Sequence, residues 1–281
     1  MLITRHGVRT LTGADLGAFL ALAERDPVVN AFAVHRARTT NLEPRWLGGE
    51  MWGRFEDGEL VAACHVAANL VPIGADVEAA VAFADRALTR RRSVSTIVGP
   101  QDAVRPFWER VAPHWGSPRE IRWDQRHLEI ARDPDVAPDP AVRLSVRSDM
   151  DLLYPACVAM YTEEVGVSPE AGGAADLYRA RVSQLVARGL SFARYDDGEL
   201  VFKAEVACAT QHAAQIQGVW VPPHRRGEGL ATAGMAAVVR YVRAQIAPVV
   251  SLYVNDWNLP ARAAYERAGF VETRRFATVM F

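Results

Sequence analysis

The stretch VPPHRRGEGLATAGM, residues 221–235, decides how this chain is interpreted. It follows an apolar run typical of a strand and opens a segment with the apolar spacing of a helix. Gly227 and Gly229 allow backbone conformations closed to other residues, while a helix N-terminus presents unpaired N–H groups and a positive dipole end. Small residues keep the first helical turn free of bulk, and Arg225 and Arg226 add positive charge. The stretch therefore predicts an anion-binding turn suited to a phosphate or pyrophosphate.

Two common phosphate-binding motifs do not fit this turn. No Lys-Ser/Thr pair follows Gly229, so the P-loop pattern is absent, and Thr232 stands where a dinucleotide fingerprint needs its third glycine. The run RGEGLA, residues 226–231, instead resembles the R/Q-x-x-G-x-G/A loop of the GNAT superfamily of acetyltransferases. In that family the loop binds the pyrophosphate of acetyl-coenzyme A. The resemblance implies acetyl-CoA as cosubstrate.

The flanking segments strengthen the resemblance, which covers residues 142–281. QIQGVWVPP is similar to the family's fourth strand, and Gly218 inside it predicts a bulge or a close ligand approach. LYVNDWNLPARAAYERAGF is similar to the fifth strand and the helix after it, with Asn258, Tyr265 and the Gly269-Phe270 pair in register. Three sequence segments, TEEVGVSP, QIQGVWVPP and SLYVND, carry a closer resemblance. They are similar to an actinobacterial-type GNAT subgroup that has a degenerate GNAT-like N-terminal domain of unknown function.

The two halves of the chain resemble each other. FEDGELVAACHV (55–66) and YDDGELVFKAEV (195–206) both predict a hairpin turning at Asp-Gly. VRTLTGADL echoes VRLSVRSDM, and PFWERV echoes AAYERAGF, with Trp108 in the place of Tyr265. We therefore predict an α+β fold of two tandem GNAT-like domains, each a mixed, mostly antiparallel sheet flanked by helices. The predicted boundaries are a degenerate domain at 1–132, a proline-rich linker at 133–141 and a catalytic domain at 142–281.

Periodicity gives the order of elements in the second half. Residues 174–187 predict a helix whose apolar side includes Leu177 and Val182. The predicted helices are 149–164, 174–187, 229–245 and 260–268, and the predicted strands are 191–195, 200–208, 213–221, 249–254 and 273–281.

The resemblance also assigns roles to residues of the second half. Tyr265 is the expected general acid near the sulfur. A backbone N–H of residues 218–221, with that of Val219 as the leading candidate, is expected to polarise the thioester carbonyl. Asn258 is expected to bond the pantetheine arm, to cap the helix that Pro260 opens, or to do both. The cofactor-binding residues predicted in this way are Val219, Val221, Arg226, Gly227, Gly229, Leu230, Ala231, Thr232, Asn258 and Tyr265.

The general base is left open. Many family members place a glutamate on the fourth strand, where this chain has Gln215 and Gln217. Glu163 and Glu164, which lie where relatives line the acceptor site, are the leading candidates, and Glu205 is a further one. Adjacent glutamates at a helix end are as often solvated surface, and a water chain is another route for the proton.

The first half shows no comparable turn. Asp76 and Glu78 open its helix, where they would repel a phosphate, and Arg90 to Arg92 are typical of a solvated helix C-terminus. We expect this half to keep the fold and to have lost cofactor binding. It would then shape the acceptor pocket or serve as a scaffold.

Composition excludes several other classes of protein. A formal net charge of −1 argues against a nucleic-acid partner, and the longest early apolar run is too short to cross a bilayer. Cys64, Cys157 and Cys208 are widely separated without zinc-type spacing, which predicts no metal and reduced thiols in a cytoplasmic protein.

The predicted function is acetyl-CoA-dependent N-acetyl transfer to a primary amine by direct attack in a ternary complex. The acceptor, a small molecule or a protein amine, is not defined by the sequence. The alternative is a non-catalytic sensor of CoA or acyl-CoA, and a protein-interaction scaffold ranks third.

Overall fold

A computed structural model describes residues 7–281. The strands are β1 (Gly7–Thr10), β2 (Glu50–Glu56), β3 (Glu59–Val66), β4 (Asn69–Ile73), β5 (Thr96–Pro100), β6 (Glu120–Ile130), β7 (Arg143–Leu144), β8 (Ser191–Asp196), β9 (Glu199–Ala209), β10 (Ala213–Trp220), β11 (Val249–Asn255) and β12 (Val271–Met280). The helices are α1 (Leu16–Ala23), α2 (Ala31–Thr40), α3 (Pro44–Leu47), α4 (Val77–Leu88), α5 (Gln101–Trp115), α6 (Met150–Val165), α7 (Ala175–Ala187), α8 (Leu230–Gln245) and α9 (Leu259–Ala268). The predicted elements of the second half are confirmed to within a few residues.

The chain forms two compact units. The first comprises the described residues up to His127 with Tyr253–Trp257 and Glu272–Phe281, and the second comprises Leu128–Leu252 and Asn258–Val271. The C-terminal strand β12 therefore lies in the first unit, where Phe276–Met280 pair antiparallel with β5. The sequence-based boundaries had placed this strand with the second half.

The first unit has a sheet in the order β1-β2-β3-β4-β5-β12-β6. One face carries a core with Phe83, Phe107 and Trp108 of α4 and α5. The other face carries a core with Phe19 of α1 and Val34 of α2. Side chains that alternate along each strand supply both faces, so this unit has two hydrophobic layers around one sheet.

The second unit has a sheet in the order β11-β10-β9-β8-β7. Neighbouring strands are antiparallel except β10 and β11, which are parallel and are joined through α8. Helices α6 and α7 pack Leu153, Cys157 and Val182 against Ala193 and Leu200 on one face. The prediction of a mixed, mostly antiparallel sheet with flanking helices is confirmed.

Both units contain the hairpin predicted from Asp-Gly. Asp57 and Gly58 have φ values of 49° and 89°, and Asp197 and Gly198 have values of 47° and 80°. Positive φ at both turn residues matches the twist of the flanking strands. Each hairpin also has a register shift at the same place, between Arg54 and Phe55 in one and Arg194 and Tyr195 in the other. The duplication seen in the sequence therefore extends to a β-bulge.

The weaker sequence echo near the start of each half is also structural. Arg9 bonds both oxygens of Asp15, and Arg143 bonds both oxygens of Asp149. In each case the aspartate also accepts from a backbone N–H three residues earlier, ahead of α1 or α6. The pairing with Arg9 lowers the pKa of Asp15 to about 2. The same ion pair thus starts the first long helix of each unit.

The predicted linker has no regular structure, yet it is anchored to the second unit. Asp139 is buried, and Arg194 donates to it at 2.6 Å. Its backbone N–H donates to the carbonyl of Ala233 in α8. The expectation that almost nothing in this segment could be buried is therefore wrong at Asp139, because a half-buried arginine partner compensates the desolvation of the carboxylate. The prediction that Leu177 lies on the buried apolar side of α7 is also wrong, since this residue is 77% exposed.

Acid is expected to destabilise the first unit through His65. This residue is 2% exposed, and burial lowers its pKa to about 4, so the folded protein keeps it neutral where the unfolded chain takes up a proton. The free energy of unfolding should therefore fall as the pH drops from about 6.5 to 4, by at most about 3 kcal/mol from this residue. Urea unfolding of the wild type and of His65→Gln across this range measures the effect.

The variant should show the shallower pH dependence. His127, whose pKa burial also lowers to about 4, contributes the same slope to both proteins. Equal slopes for wild type and His65→Gln would contradict the prediction.

Candidate functional site

The turn before α8 has the open geometry expected of an anion-binding site. A short 3-10 helix, Pro223–Arg225, leads into it, and Gly227 and Gly229 have φ values of 87° and 81°. A Cβ added to either glycine would meet nothing within 4 Å. Gly229 is the N-cap of α8 and offers no side-chain cap to the first amides of the helix. The glycines thus hold a left-handed backbone and leave those amides open to a ligand.

The sequence predicts that Arg225 and Arg226 add positive charge for an anion at the turn, but in the structure both arginines bond carboxylates of the protein. Arg225 bonds both oxygens of Glu228 at 3.0 Å and Asp196 at 3.1 Å, which ties the turn to the hairpin of β8 and β9. Its charge is neutralised there. Arg226 donates to the carbonyl of Val221 and, at 2.7 Å, to Glu163. A phosphate at the turn would therefore share Arg226 with a carboxylate.

Thr232 and Gly234 lie in the first turns of α8 and have different structural roles. Thr232 is 8% exposed, and its hydroxyl has no hydrogen-bond partner among residues 7–281. A buried unpartnered hydroxyl beside open amides fits a ligand with hydrogen-bond acceptors. Gly234 instead serves packing, because an added Cβ would lie 2.8 Å from the ring of Phe202 on β9.

The bulge predicted at Gly218 is confirmed. Gly218 has a φ of 61°, and the register with β9 passes from Gln217 opposite Glu205 directly to Trp220 opposite Lys203. Gly218 and Val219 consequently have no register partner on β9. On the other side of β10, pairing with β11 ends after three residue pairs, the last joining Gln215 to Ser251.

A buried polar cluster lies beneath this bulge. The Lys203 side chain is fully buried, and its Nζ donates to the Gly218 carbonyl at 2.8 Å and lies 3.6 Å from Glu205. Gln217 Nε2 donates to Glu205 at 2.7 Å. Sequence reasoning missed Lys203, although a lysine and a glutamate two positions apart inside an apolar strand place both charges on one buried face.

Tyr265 and Glu164 are brought within electrostatic reach of each other. Tyr265 is 7% exposed on α9, and its ring meets the edge of Phe270 at 6.0 Å between centroids. Burial, and secondarily the negative charge of Glu164, raise the pKa of Tyr265 well above its usual value. The phenol is therefore protonated at neutral pH, as a proton donor must be.

Glu163 is engaged rather than free. It accepts from Arg226 at 2.7 Å and from Trp220 Nε1 at 3.1 Å, and the bond from Arg226 lowers the pKa of its carboxyl. A lowered pKa weakens a carboxylate as a general base. The geometry therefore gives Glu163 a structural role beside the turn and leaves Glu164 and Glu205 as candidate bases.

Asn258 caps α9, which is one of its two predicted roles. Its Oδ1 accepts from the backbone N–H of Ala261 at 3.3 Å, and Pro260 follows in the first turn. The other role, a bond to the pantetheine arm, stays a prediction, as do the other cofactor contacts.

The equivalent helix of the first unit begins differently. Asp76 is the N-cap of α4, and its carboxylate accepts from the backbone N–H of Ala79 at 2.8 Å. Glu78 in the first turn pairs with Arg54. An acidic cap thus occupies the amides that are open at Gly229, which supports the expectation that this unit does not bind the cofactor.

A helix start without a side-chain cap thus follows a bulged strand, in a parallel crossover of a mixed sheet. Residues 158–270 match the Acetyltransferase (GNAT) family, and residues 49–153 match a Domain of unknown function (DUF4081). The chain thus carries a GNAT-family domain, and the resemblance drawn from its sequence is confirmed.

Solved structures show the same fold over the whole chain. A GNAT-family acetyltransferase from Colwellia psychrerythraea has a TM-score of 0.58 at 13% identity, covering 98% of this chain and 99% of that chain. A GCN5-related N-acetyltransferase from Sphaerobacter thermophilus has a TM-score of 0.57 at 20% identity, covering 99% and 96%. A tandem GNAT protein from the clavulanic acid biosynthesis pathway has a TM-score of 0.55 at 15% identity, covering 98% of both.

These identities establish the fold alone, and the fold is that of two tandem GNAT-like domains. A search of curated proteins gives no match. Within residues 7–281, no helix has the length and apolar character needed to span a membrane. The same residues contain no group of three or more His, Cys, Asp or Glu side chains placed to hold a metal ion.

Proposed function

We propose that this chain is an acetyl-CoA-dependent N-acetyltransferase whose single active site lies in the second half. In this proposal residues 142–281 are the catalytic domain, 1–132 are a degenerate partner domain, and 133–141 connect them. The observation that carries the proposal is the uncapped start of α8. There, two positive-φ glycines with open Cβ directions and the unpartnered Thr232 hydroxyl surround amides suited to a diphosphate.

The reaction transfers an acetyl group from a thioester, which acetyl-CoA supplies, to a primary amine. The amine nitrogen forms a bond to the carbonyl carbon, the carbon–sulfur bond breaks, and the nitrogen loses a proton while the sulfur gains one. The Val219 N–H, at the bulge where β10 lacks ladder partners, donates to the carbonyl oxygen as negative charge develops on it. Tyr265 donates the proton that the departing sulfur needs.

Glu164 or Glu205 accepts the proton from the amine. Glu164 is exposed at the end of α6, and its charge acts on Tyr265. Glu205 is buried against the bulge. The acceptor is a primary amine on a small molecule or a protein.

One observation favours the alternative of a CoA or acyl-CoA sensor. The fourth-strand position of Gln217 is committed to Glu205, and Glu163 is committed to Arg226. The amide of Gln217 does not accept a proton, and the bond from Arg226 lowers the pKa of Glu163, so neither residue is suited to act as a base. Binding without turnover is the property that separates this alternative from the enzyme.

Calorimetric titration with acetyl-CoA tests the proposed site. We expect binding to the wild type and little or none by S-acetylpantetheine, which carries the thioester but lacks the nucleotide diphosphate. The physical reason is that the amides of α8 contribute mainly through the diphosphate. Thiol release from acetyl-CoA with a panel of primary amines then measures turnover.

Equal affinity for both compounds would place the binding elsewhere than the turn. No binding of either compound, and no rise in melting temperature with acetyl-CoA, would overturn the proposed function.

A further inference from the structure

The buried cluster beneath the bulge has a chemical role that its position reveals. Lys203 is fully buried on β9, and its nearest anionic group is Glu205 at 3.6 Å. Burying an ion pair costs desolvation that replacement by apolar residues would avoid. The lysine therefore needs an explanation beyond stability, and the atom it contacts supplies one.

Lys203 donates a hydrogen bond to a backbone carbonyl of β10 that has no partner in the β-ladder. Its Nζ donates at 2.8 Å to the carbonyl oxygen of Gly218, the bulge residue with a φ of 61°. Gly218 has no register partner on β9, so no ladder hydrogen bond from β9 fixes the orientation of its carbonyl. An added Cβ at this position would lie only 3.0 Å from Nζ and 3.1 Å from the carboxyl carbon of Glu205. The ammonium and the glycine are thus fitted closely to each other.

Fixing this carbonyl also fixes the next amide. In a planar trans peptide the C=O of Gly218 and the N–H of Val219 point in opposite directions. Since the Gly218 C=O points to Lys203 Nζ, the Val219 N–H is directed away from that ammonium. Strand β10 lies between β9 and β11 in the sheet, and its pairing with β11 has already ended at Gln215. Val219 has no register partner on either neighbouring strand, so no ladder bond fixes the direction of its N–H.

The other members of the cluster hold the ammonium in place. Glu205 balances its charge, and Gln217 donates to Glu205 at 2.7 Å. A glutamate at position 217 would set two carboxylates at this short distance, which explains why this fourth-strand position carries an amide. Burial raises the pKa of the Cys157 thiol on α6, and the charge of Lys203 acts against that rise.

We propose that Lys203 is a positioning residue for acetyl transfer, which aims the Val219 N–H at the thioester oxygen by holding the Gly218 carbonyl. This inference rests on the proposed function. It adds to it a residue of β9 that acts through the backbone of β10, with Glu205 and Gln217 as its support. Lys203 touches neither the substrate nor the reacting atoms in this scheme.

Isotope-edited infrared spectroscopy of acetyl-CoA labelled with ¹³C at the thioester carbonyl tests the proposal without an acceptor amine. In the wild type the carbonyl stretch should move to lower frequency on binding, because Val219 donates to the oxygen. Lys203→Met with Glu205→Gln removes both charges together, so that no buried charge is left unpaired. This double variant should bind acetyl-CoA within about threefold of the wild type and lose the frequency shift.

Glu205→Gln alone is the matched control. It keeps the Lys203 amine, which donates to the Gly218 carbonyl whether charged or neutral, so the frequency shift should be retained. Slow hydrolysis of bound acetyl-CoA gives a second readout. Its kcat should be lower in Lys203→Met, which keeps Glu205, than in the wild type by on the order of a hundredfold, with KM little changed. Lys203→Met alone provides a second variant without the amine.

A frequency shift retained in either folded variant lacking the amine would overturn the role of Lys203, as would equal hydrolysis in Lys203→Met and the wild type. These results differ from a failure of the proposed function, in which the wild type itself would not bind acetyl-CoA.

Discussion

Tyr265→Phe is expected to lower acetyl transfer by about 10²- to 10⁴-fold, the range typical of losing a positioned proton donor. The ring should remain where it is, since the phenylalanine keeps the edge contact with Phe270 and the burial of α9. Acetyl-CoA affinity should therefore change by less than about threefold. The measurements are thiol release under saturating acetyl-CoA with an amine that the wild type accepts, and calorimetric binding.

Tyr241→Phe is the matched control, because Tyr241 is 37% exposed on α8 and its ring packs on Phe192. It should leave both turnover and affinity unchanged. Turnover of Tyr265→Phe within a few-fold of the wild type would exclude Tyr265 as the proton donor. A parallel loss of affinity would show that its role is packing. A wild type that binds acetyl-CoA and turns over no amine would favour the sensor.

Gly229→Asp is expected to weaken acetyl-CoA binding by at least about 100-fold, which corresponds to about 3 kcal/mol. Aspartate at this N-cap imitates Asp76, whose carboxylate accepts from a first-turn amide of α4 in the first unit. In α8 the carboxylate would lie at the mouth of the amides proposed for the diphosphate and would repel its charge. The variant therefore tests whether the N-cap residue alone accounts for the proposed difference in cofactor binding between the two units.

Gly229→Asn provides the comparison, because asparagine has the same shape and also tolerates the left-handed conformation at φ 81°. It should cost less affinity than aspartate, and the difference isolates the charge. Circular dichroism and thermal unfolding should show both variants folded. Equal, wild-type-like affinity in both would mean that the cofactor does not bind at the start of α8.

Features that depend on local backbone chemistry could be predicted from the amino-acid sequence. Asp-Gly pairs fixed the two hairpins because few other residues accept positive φ at both turn positions. The apolar spacing after Gly229 fixed α8, where Met235, Val238, Val239 and Val242 are all buried. Gly218 inside an apolar strand indicated the bulge. The turn, the bulge and the tyrosine helix could be recognised because each is a short continuous segment.

The partners that these segments contact could be identified only from the folded chain. It paired Arg226 with Glu163, 63 positions away, and buried Asp139 against Arg194. It placed β12 beside β5, and it put the Lys203 ammonium on the Gly218 carbonyl. These contacts join residues far apart in the chain, and their identity depends on strand register and helix placement. A pattern within one segment specifies that segment's conformation, whereas the charge and hydrogen bonds that reach it are set by whatever the folded chain brings alongside.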